Sequence, residues 1–199
     1  NIKLLNIAES NHVKLFFEQD CIGVETDKTR LIFNDGQSIP SDFIFGTDGA
    51  GSIVRKIMSS NNSKINIVEQ FIDSSYKELT ISANINGSHK LDNNGLHIWP
   101  RKSFMVIALP NLDGTFTCTL FAPNTGLKSF ASINHKDDID NFFRQEFHDL
   151  YELIPDLSQQ YISNPTSRLG FVRCNSWKQN KTILLGDSCH ATVPFYGQG

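Results

Sequence analysis

The sequence lacks long hydrophobic runs. No stretch approaches the roughly 18 consecutive apolar residues that a membrane-spanning helix needs, and the longest apolar runs, such as residues 104–110, have the length of a strand. An excess of charge of one sign is also missing, because 18 Lys and Arg stand against 21 Asp and Glu and give a net charge of −3. The sequence therefore gives no electrostatic reason to expect a nucleic acid or an anionic membrane surface as a partner.

Cysteine is scarce, and none of the four cysteines belongs to a CxxC pair. Cys21, Cys118, Cys174 and Cys189 are spaced for neither a zinc site nor a small disulfide-stabilised domain. Cys189 is followed by His190, but adjacent residues rarely bind one metal ion. We therefore expect no metal site, and four free thiols that are buried or half-buried in a reducing compartment.

Apolar and aromatic side chains, by contrast, are plentiful. Hydrophobic residues make up 39% of the 199 positions, and Phe alone occurs 15 times. This composition excludes a disordered or fibrous chain, and a domain of this length can bury roughly 70% of the surface of its unfolded chain. The chain begins at Asn1 with neither Met nor a signal-peptide pattern and ends at Gly199, so we expect it to be a segment of a longer protein.

The first third of the sequence predicts short alternating elements. Apolar residues at positions 4, 5, 7 and 8 indicate a helix, and residues 12–18 indicate a strand. Further predicted elements are a hairpin over 23–26 and 30–34, a strand over 42–46, and a helix with Ile53, Val54 and Ile57 on its apolar face and Arg55 and Lys56 on its polar face. The polar run at 59–63 is the best candidate for a domain boundary.

The remainder of the sequence is rich in predicted strands. They lie at 76–83, 95–99, 103–109, 115–121, 168–174 and 182–186. Both faces of the strand at 115–121 carry bulky side chains, so one side of this sheet should face something apolar other than water. A single helix is predicted from Ile139 to Ile154, where apolar residues recur every three or four positions and Pro155 ends the pattern.

Two apolar strands end in turns that combine Gly with Asp. Gly46 to Gly49 follows the first strand, and Gly186-Asp187 follows the second. Ligands bind at the carboxyl ends of strands in open α/β sheets, where a carboxylate can accept hydrogen bonds from ribose hydroxyls. Either turn alone is an ordinary strand-to-loop connection, but the pair favours a nucleotide site. The sequence has no GxGxxG, which argues against a complete nucleotide-binding domain within these residues.

These turns carry a resemblance to a known family. Residues 42–55 resemble the DG motif, and residues 183–194 the GD motif, of FAD-dependent aromatic hydroxylases of the p-hydroxybenzoate hydroxylase type. Four further strings resemble the kynurenine 3-monooxygenase branch of that family: 96–101, 104–111, 116–121 and 194–199. The two middle strings are far more specific than the DG and GD motifs.

The resemblance implies an α/β fold in which an antiparallel substrate sheet is inserted into a Rossmann-like FAD domain. Residues 1–60 and 181–199 would belong to the FAD domain, and residues 61–180 to the substrate domain with its covering helix. The protein would be about twice this length, with GxGxxG and the Arg and Tyr that hold the substrate's amino-acid end upstream. A helical region would follow downstream, and residues 1–199 alone should be inactive.

The resemblance also implies cofactor contacts. Asp187 would contact the ribityl chain of FAD, and Gly186 would let its turn close, whereas the plain structural alternative is a turn-forming Asp. Asp48 is similarly placed in a motif linked to both FAD and NADPH. Cys21 would lie near the adenine end, although a core thiol is about as good an interpretation. The remaining expected cofactor contacts are Pro194, Gly197 and Gly199.

Substrate contacts are implied on the predicted sheet and after the GD motif. The expected residues are Leu96, Met105, Ile107, Phe121, Pro194, Phe195 and Tyr196. Without the resemblance, bulky apolar residues on a strand are ordinary core packing. Tyr196 stands where the family often has Phe or His, so the polarity of this pocket is expected to differ.

The implied activity is the hydroxylation of L-kynurenine to 3-hydroxykynurenine with FAD, NADPH and O2. No side chain is expected to act as a catalytic acid, base or nucleophile, because the cofactor performs the oxygen chemistry. The resemblance is compatible with a homodimer. It implies a cytoplasmic enzyme in bacteria and one at the outer mitochondrial membrane in eukaryotes, where any membrane anchor would lie outside this segment. Two alternatives stay open: a sister flavin hydroxylase with another aromatic substrate, and a non-catalytic module without flavin.

Overall fold

Residues 2–194 are described by a computed structural model with a mixed α/β fold. The helices are α1 (Ile2–Ser10), α2 (Ile53–Asn61), α3 (Lys136–Glu146), α4 (His148–Leu153), α5 (Leu157–Ser163) and α6 (Asp187–His190). The strands are β1 (Cys21–Glu25), β2 (Arg30–Phe33), β3 (Ser38–Pro40), β4 (Ile44–Gly46), β5 (Ile67–Ile81), β6 (His97–Pro100), β7 (Met105–Pro110), β8 (Phe116–Pro123), β9 (Thr166–Cys174), β10 (Lys178–Gln179) and β11 (Thr182–Leu184). No helix among these residues is long and apolar enough to cross a membrane.

The chain divides into two compact units. The first unit comprises residues 1–69 and 171–199, and the second comprises residues 70–170. The chain passes from one to the other within β5 and within β9. The assignment of one unit to FAD and the other to substrate stays a prediction.

The first unit contains two small sheets. Strands β1, β2 and β3 pair in antiparallel order, which confirms the predicted hairpin. In the other sheet, β11 lies between β10 and β4 and runs parallel to β4, with Ile44 opposite Thr182 and Gly46 opposite Leu184. The carboxyl ends of β4 and β11 are therefore neighbours, and both Gly/Asp turns leave the same edge of this sheet.

Two predictions for the first unit were wrong. Residues 12–18 do not form a strand, because His12 and Glu18 adopt positive φ angles of 64° and 58°, which extended strands do not allow. Arg55 is fully buried rather than on a polar face of α2, whereas Ile53 is 38% exposed. The buried residues of α2 are Val54, Arg55 and Met58, and Ile57 packs partly buried against the same cluster, so the predicted apolar face is confirmed at Val54 and Ile57 but not at Ile53.

The second unit is built on a five-stranded sheet in the order β6-β7-β8-β5-β9. One face of this sheet packs against α3, α4 and α5, and side chains at alternate positions of β7 and β8 enter that core. The core-facing strand residues are Val106, Ala108, Phe116, Cys118 and Leu120, all fully buried. Phe116, Cys118 and Leu120 therefore share the core-facing side of β8, as alternation along a strand requires.

The single helix predicted from Ile139 to Ile154 is instead two helices, α3 and α4. The break falls at Phe147, whose φ of −141° is not helical and whose N–H still bonds to the oxygen of Phe143 over 2.8 Å. The apolar spacing continues through the break because Phe147, Leu150 and Ile154 all stay buried in one cluster with α3. Hydrophobic periodicity alone could not reveal this change of direction.

Candidate functional site

The first Gly/Asp turn is organised by the Asp48 carboxylate. One oxygen accepts a hydrogen bond from Ser52 Oγ over 2.6 Å, and the other accepts from the backbone N–H groups of Ile53 and Val54 over 2.8 and 3.2 Å. Ser52 in turn accepts from the Arg55 N–H over 2.9 Å. Asp48 thus stabilises the N-terminus of α2, a role expected of an acidic residue at that position. Its contact with a cofactor stays a prediction.

Close packing holds the two turns beside each other. Ser188 Oγ donates to the oxygen of Gly46 over 2.7 Å, and the Leu185 N–H donates to the same oxygen over 3.0 Å. A Cβ atom on Gly46 would come within 3.0 Å of Leu184 and Val54 side-chain atoms. Gly46 therefore allows β4 to approach both α2 and β11.

Asp187 is the exposed first residue of α6. Within residues 2–194 its carboxylate receives no hydrogen bond and forms no ion pair. Gly186, directly before it, has φ +62°, and a Cβ there would meet no atom within 4 Å. The second turn therefore presents a free carboxylate and an unobstructed backbone beside the first turn, which is what a polar ligand needs.

A buried arginine connects the two turns. Arg55 Nη1 donates to the oxygen of Ser188 over 2.7 Å, and Nη2 donates to the oxygen of Ala50 and, over 2.7 Å, to Oε1 of Glu69. The Arg55 side chain is fully buried and that of Glu69 is 34% exposed. The sequence suggested that Arg55 pairs with a nearby carboxylate, and Glu69 is that carboxylate, but its complete burial beside Met58 (i, i+3) was not predicted.

The four cysteines are free thiols among the described residues, buried or half-buried as predicted. Cys21, expected near the adenine end of a cofactor, is half-buried in β1 and packs against the apolar cluster of the first unit. Its Sγ donates to the oxygen of Gly23 over 3.4 Å. A core role accounts for these contacts, and its cofactor contact stays a prediction. No group of three His, Cys, Asp or Glu side chains in residues 2–194 is arranged to hold a metal ion.

The expected substrate residues of the second unit share the sheet face opposite the helices. Met105 lies directly across from Phe121, and Ile107 lies across from Thr119 and from Ile98 on β6. Phe121 is 8% exposed, while Leu96, just before β6, is 54% exposed. The structure thus brings Met105, Ile107 and Phe121 together on one apolar face. Leu96 lies at its margin, before the first paired residue of β6.

The remaining expected residues fall at or beyond the end of the described chain. Pro194 is the last described residue and is exposed. Phe195, Tyr196, Gly197 and Gly199 lie outside the described residues, so their predicted roles stay predictions.

Comparison with known proteins relates the whole chain to one group of enzymes. It is 46% identical over 205 aligned residues to kynurenine 3-monooxygenase of Christiangramia forsetii, a match that covers 100% of this chain and 46% of the relative. The enzyme of the same name from Dictyostelium discoideum is 43% identical over 190 residues, covering 94% of this chain and 41% of the relative. The chain thus spans about half the length of the curated relatives it matches. No protein-family model matches it.

Solved structures share the fold at lower sequence identity. 2-Methyl-3-hydroxypyridine-5-carboxylic acid oxygenase aligns with a TM-score of 0.72 at 18% identity, over 96% of this chain and 50% of the other. Klebsiella pneumoniae HpxO, solved with FAD and uric acid, aligns with a TM-score of 0.71 at 17% identity, over 100% of this chain and 49% of the other. The predicted fold class is confirmed, and so is the resemblance inferred from the sequence motifs.

Proposed function

Since the chain is a sequence relative of the kynurenine 3-monooxygenases, we propose that it forms part of an FAD-dependent monooxygenase that hydroxylates L-kynurenine to 3-hydroxykynurenine with NADPH and O2. Such a reaction serves tryptophan degradation and NAD biosynthesis. The observation that carries the proposal is the sequence identity of 46% to a kynurenine 3-monooxygenase over the entire chain. The two Gly/Asp turns on neighbouring parallel strands support it independently, because they form the kind of edge at which nucleotides bind.

The residues of the first unit fit FAD. Asp187 offers an exposed carboxylate without an intramolecular partner, and the backbone at Gly186 has open space where a side chain would stand. Asp187 would hold hydroxyls of the ribityl chain, while Asp48 and Cys21 would lie nearer the rest of the cofactor. Pro194, Gly197 and Gly199 are proposed to face the flavin ring. When bound, FAD supplies the redox chemistry that joins NADPH, O2 and substrate.

The chain's own contribution to this reaction is positioning. Met105, Ile107 and Phe121 form an apolar face that would hold an aromatic ring and exclude water around it, and Leu96, Phe195 and Tyr196 would extend that contact. No paired carboxylates or Ser-His-Asp arrangement in residues 2–194 offers a competing mechanism. Specificity would therefore depend on how this face orients the ring.

A product assay tests the proposal directly. The full-length protein that carries this chain should purify with the absorption bands of FAD, oxidise NADPH faster when kynurenine is present, and form 3-hydroxykynurenine detectable by mass spectrometry. An FAD-loaded protein that leaves kynurenine unchanged under NADPH and O2 would overturn the proposed substrate. A protein that takes up no FAD would overturn the flavoenzyme assignment and favour a non-catalytic module.

A sister hydroxylase with another aromatic substrate is the second candidate. HpxO, solved with uric acid, shares the fold at 17% identity. A panel of aromatic compounds, including uric acid and kynurenine, separates the two candidates. The compound that is converted to a hydroxylated product with one NADPH consumed per turnover is the substrate.

Assembly and location are also proposals. We infer a homodimer, cytoplasmic in a bacterial source and at the outer mitochondrial membrane in a eukaryotic one, where an anchor would lie outside residues 1–199. Both bacterial and eukaryotic relatives exist. Size-exclusion chromatography with light scattering tests the dimer, and a monomeric mass would contradict it.

A further inference from the structure

The dipeptide Asn-Gly occurs twice in the chain, at Asn86-Gly87 and at Asn94-Gly95. It is the most reactive setting for an asparagine, because glycine has no side chain to obstruct its main-chain nitrogen and is conformationally permissive. That nitrogen can attack the side-chain carbonyl carbon of the preceding asparagine and close a five-membered ring. Both asparagines are exposed and lie in turns of the second unit. A difference in their reactivity must therefore come from local geometry.

The first turn restrains both reacting groups. The Gly87 N–H donates to the oxygen of Asn84 over 2.8 Å. The side-chain oxygen of Asn86 accepts from the N–H and from the hydroxyl of Ser88, over 3.0 and 2.7 Å. For ring closure the Gly87 nitrogen would have to give up its hydrogen bond, and the Asn86 side chain would have to leave Ser88. This turn therefore protects Asn86.

The second turn leaves the attacking nitrogen free. Within residues 2–194 the Gly95 N–H donates no hydrogen bond, and the side-chain oxygen of Asn94 accepts none. The Asn94 side-chain nitrogen donates to Oδ1 of Asp92 over 3.4 Å and to Oδ1 of Asn93 over 3.2 Å. These bonds are longer than those that hold the Asn86 side chain, and they involve the nitrogen that ring closure expels. The carbonyl carbon of the Asn94 side chain thus stays open to the Gly95 nitrogen.

We propose that Asn94 is a site of spontaneous modification, at which ring closure converts asparagine to isoaspartate and aspartate. The Gly95 nitrogen forms a bond to Asn94 Cγ, the bond from Cγ to Nδ2 breaks, and the Gly95 proton leaves with Nδ2 as ammonia. Water then opens the cyclic imide. Cleavage of the new bond to Cγ gives aspartate, whereas cleavage of the original peptide bond gives isoaspartate, in which the chain continues through Cβ and Cγ. The reaction needs only water and is independent of the proposed function.

The position of Asn94 gives this modification a consequence for the apolar face of the sheet. Leu96, at the margin of that face, follows two residues later, and β6 begins at His97. His97 Nε2–H donates to the main-chain oxygen of Asp92 over 2.7 Å and closes the loop that contains Asn94. Isoaspartate adds one main-chain carbon within this closed loop, so we expect Leu96 to shift. Aspartate adds a charge and leaves the length of the main chain unchanged.

Peptide mapping of the full-length protein tests the site. After incubation at mildly alkaline pH, mass spectrometry and enzymatic methylation of isoaspartate should show reaction at Asn94 at least about 5-fold faster than at Asn86, the factor expected when one hydrogen bond protects the slower site. In urea neither turn persists, and the two rates should agree within about 2-fold. Equal rates in the folded protein, or a faster reaction at Asn86, would overturn the proposal.

Two variants separate the modification from its consequence, which rests on the proposed function. Asn94→Gln should stop reaction at position 94, since its longer side chain would have to close a six-membered ring, and should leave the rate at Asn86 unchanged. The KM for kynurenine should rise with the isoaspartate content of the aged protein, but not in aged Asn94→Gln or in freshly prepared Asn94→Asp. An unchanged KM in the modified protein would overturn the shift of Leu96. If the protein makes no 3-hydroxykynurenine, the proposed function fails, while peptide mapping still decides the site.

Discussion

The Arg55 guanidinium donates a hydrogen bond over 2.7 Å to the main-chain oxygen of Ser188, which lies 133 positions further along the sequence. This bond joins the helix after the first Gly/Asp turn to the helix after the second. Because the same guanidinium also reaches Ala50 and Glu69, it holds both turns with one buried charge. The geometry of the candidate cofactor edge therefore depends on a residue that itself is fully buried.

Loss of this arginine should be strongly destabilising. Arg55→Met leaves the oxygens of Ala50 and Ser188 without their donors and Glu69 without its partner, so we expect the free energy of unfolding to fall by about 3 kcal/mol. Urea titration measures the change. Lys56→Met, at an exposed position of the same helix, is the matched control and should stay within about 0.5 kcal/mol. If the two substitutions lowered the free energy of unfolding equally, the buried Arg55 would not be what holds the two turns together.

Asp48 should act mainly on stability. Asp48→Ala removes the acceptor for Ser52 and for the N–H groups of Ile53 and Val54, which should lower the free energy of unfolding by about 1–2 kcal/mol. Asp42 is an exposed carboxylate just before β4, and Asp42→Ala serves as the control. It should leave the free energy of unfolding nearly unchanged. A neutral result for Asp48→Ala in thermal or urea unfolding would show that the cap contributes nothing.

Asp187 should show the opposite behaviour. Its carboxylate has no partner among the described residues, so Asp187→Asn should leave the unfolding free energy within about 0.5 kcal/mol. Loss of a charge-assisted hydrogen bond to the cofactor should weaken FAD binding by about 10-fold or more. Titration of FAD with the apoprotein, followed by the quenching of flavin fluorescence, measures this affinity. Asp42→Asn serves as the control. Unchanged FAD affinity would remove Asp187 from the proposed site.

Gly46 should tolerate no side chain. A Cβ at this position would come within 3.0 Å of Leu184 and Val54 atoms in the packed core of the first unit. Gly46→Ala should therefore cost about 1–3 kcal/mol of unfolding free energy. Gly51→Ala is the natural comparison, since no atom lies within 4 Å of its Cβ position. If urea midpoints of the two variants coincide, β4 does not pack as closely as the structure indicates.

The Cys118 thiol should make stability depend on pH. Burial raises its pKa to about 12, so the folded chain keeps a proton that the unfolded chain loses above about pH 8.5. The unfolded state then binds fewer protons than the folded state, and stability falls as pH rises through that window. Cys118→Ala should show a smaller loss between about pH 7.5 and about pH 10 in urea titrations. If the free energy of unfolding fell equally with pH in both proteins, the pH dependence would not come from Cys118.

The strands could be predicted from the sequence because alternation is a local property. Phe116, Cys118 and Leu120 face the core as their spacing required, since side chains of a strand point to opposite faces in turn. The Gly/Asp turns were equally visible. The burial of Arg55 and its bond to Ser188 were not, because Ser188 lies far away in the chain and a charged residue on a short helix is ordinarily exposed.

What the sequence by itself determined is local: the alternating strands of the second unit, the hairpin near the start and the two motifs that point to the FAD-dependent hydroxylases. Tertiary structure decided which residues meet. Parallel pairing of β4 with β11 brings two distant turns to one edge, and antiparallel register places Met105 directly opposite Phe121. Such contacts depend on packing between segments that are distant in the sequence, and no local sequence pattern encodes them.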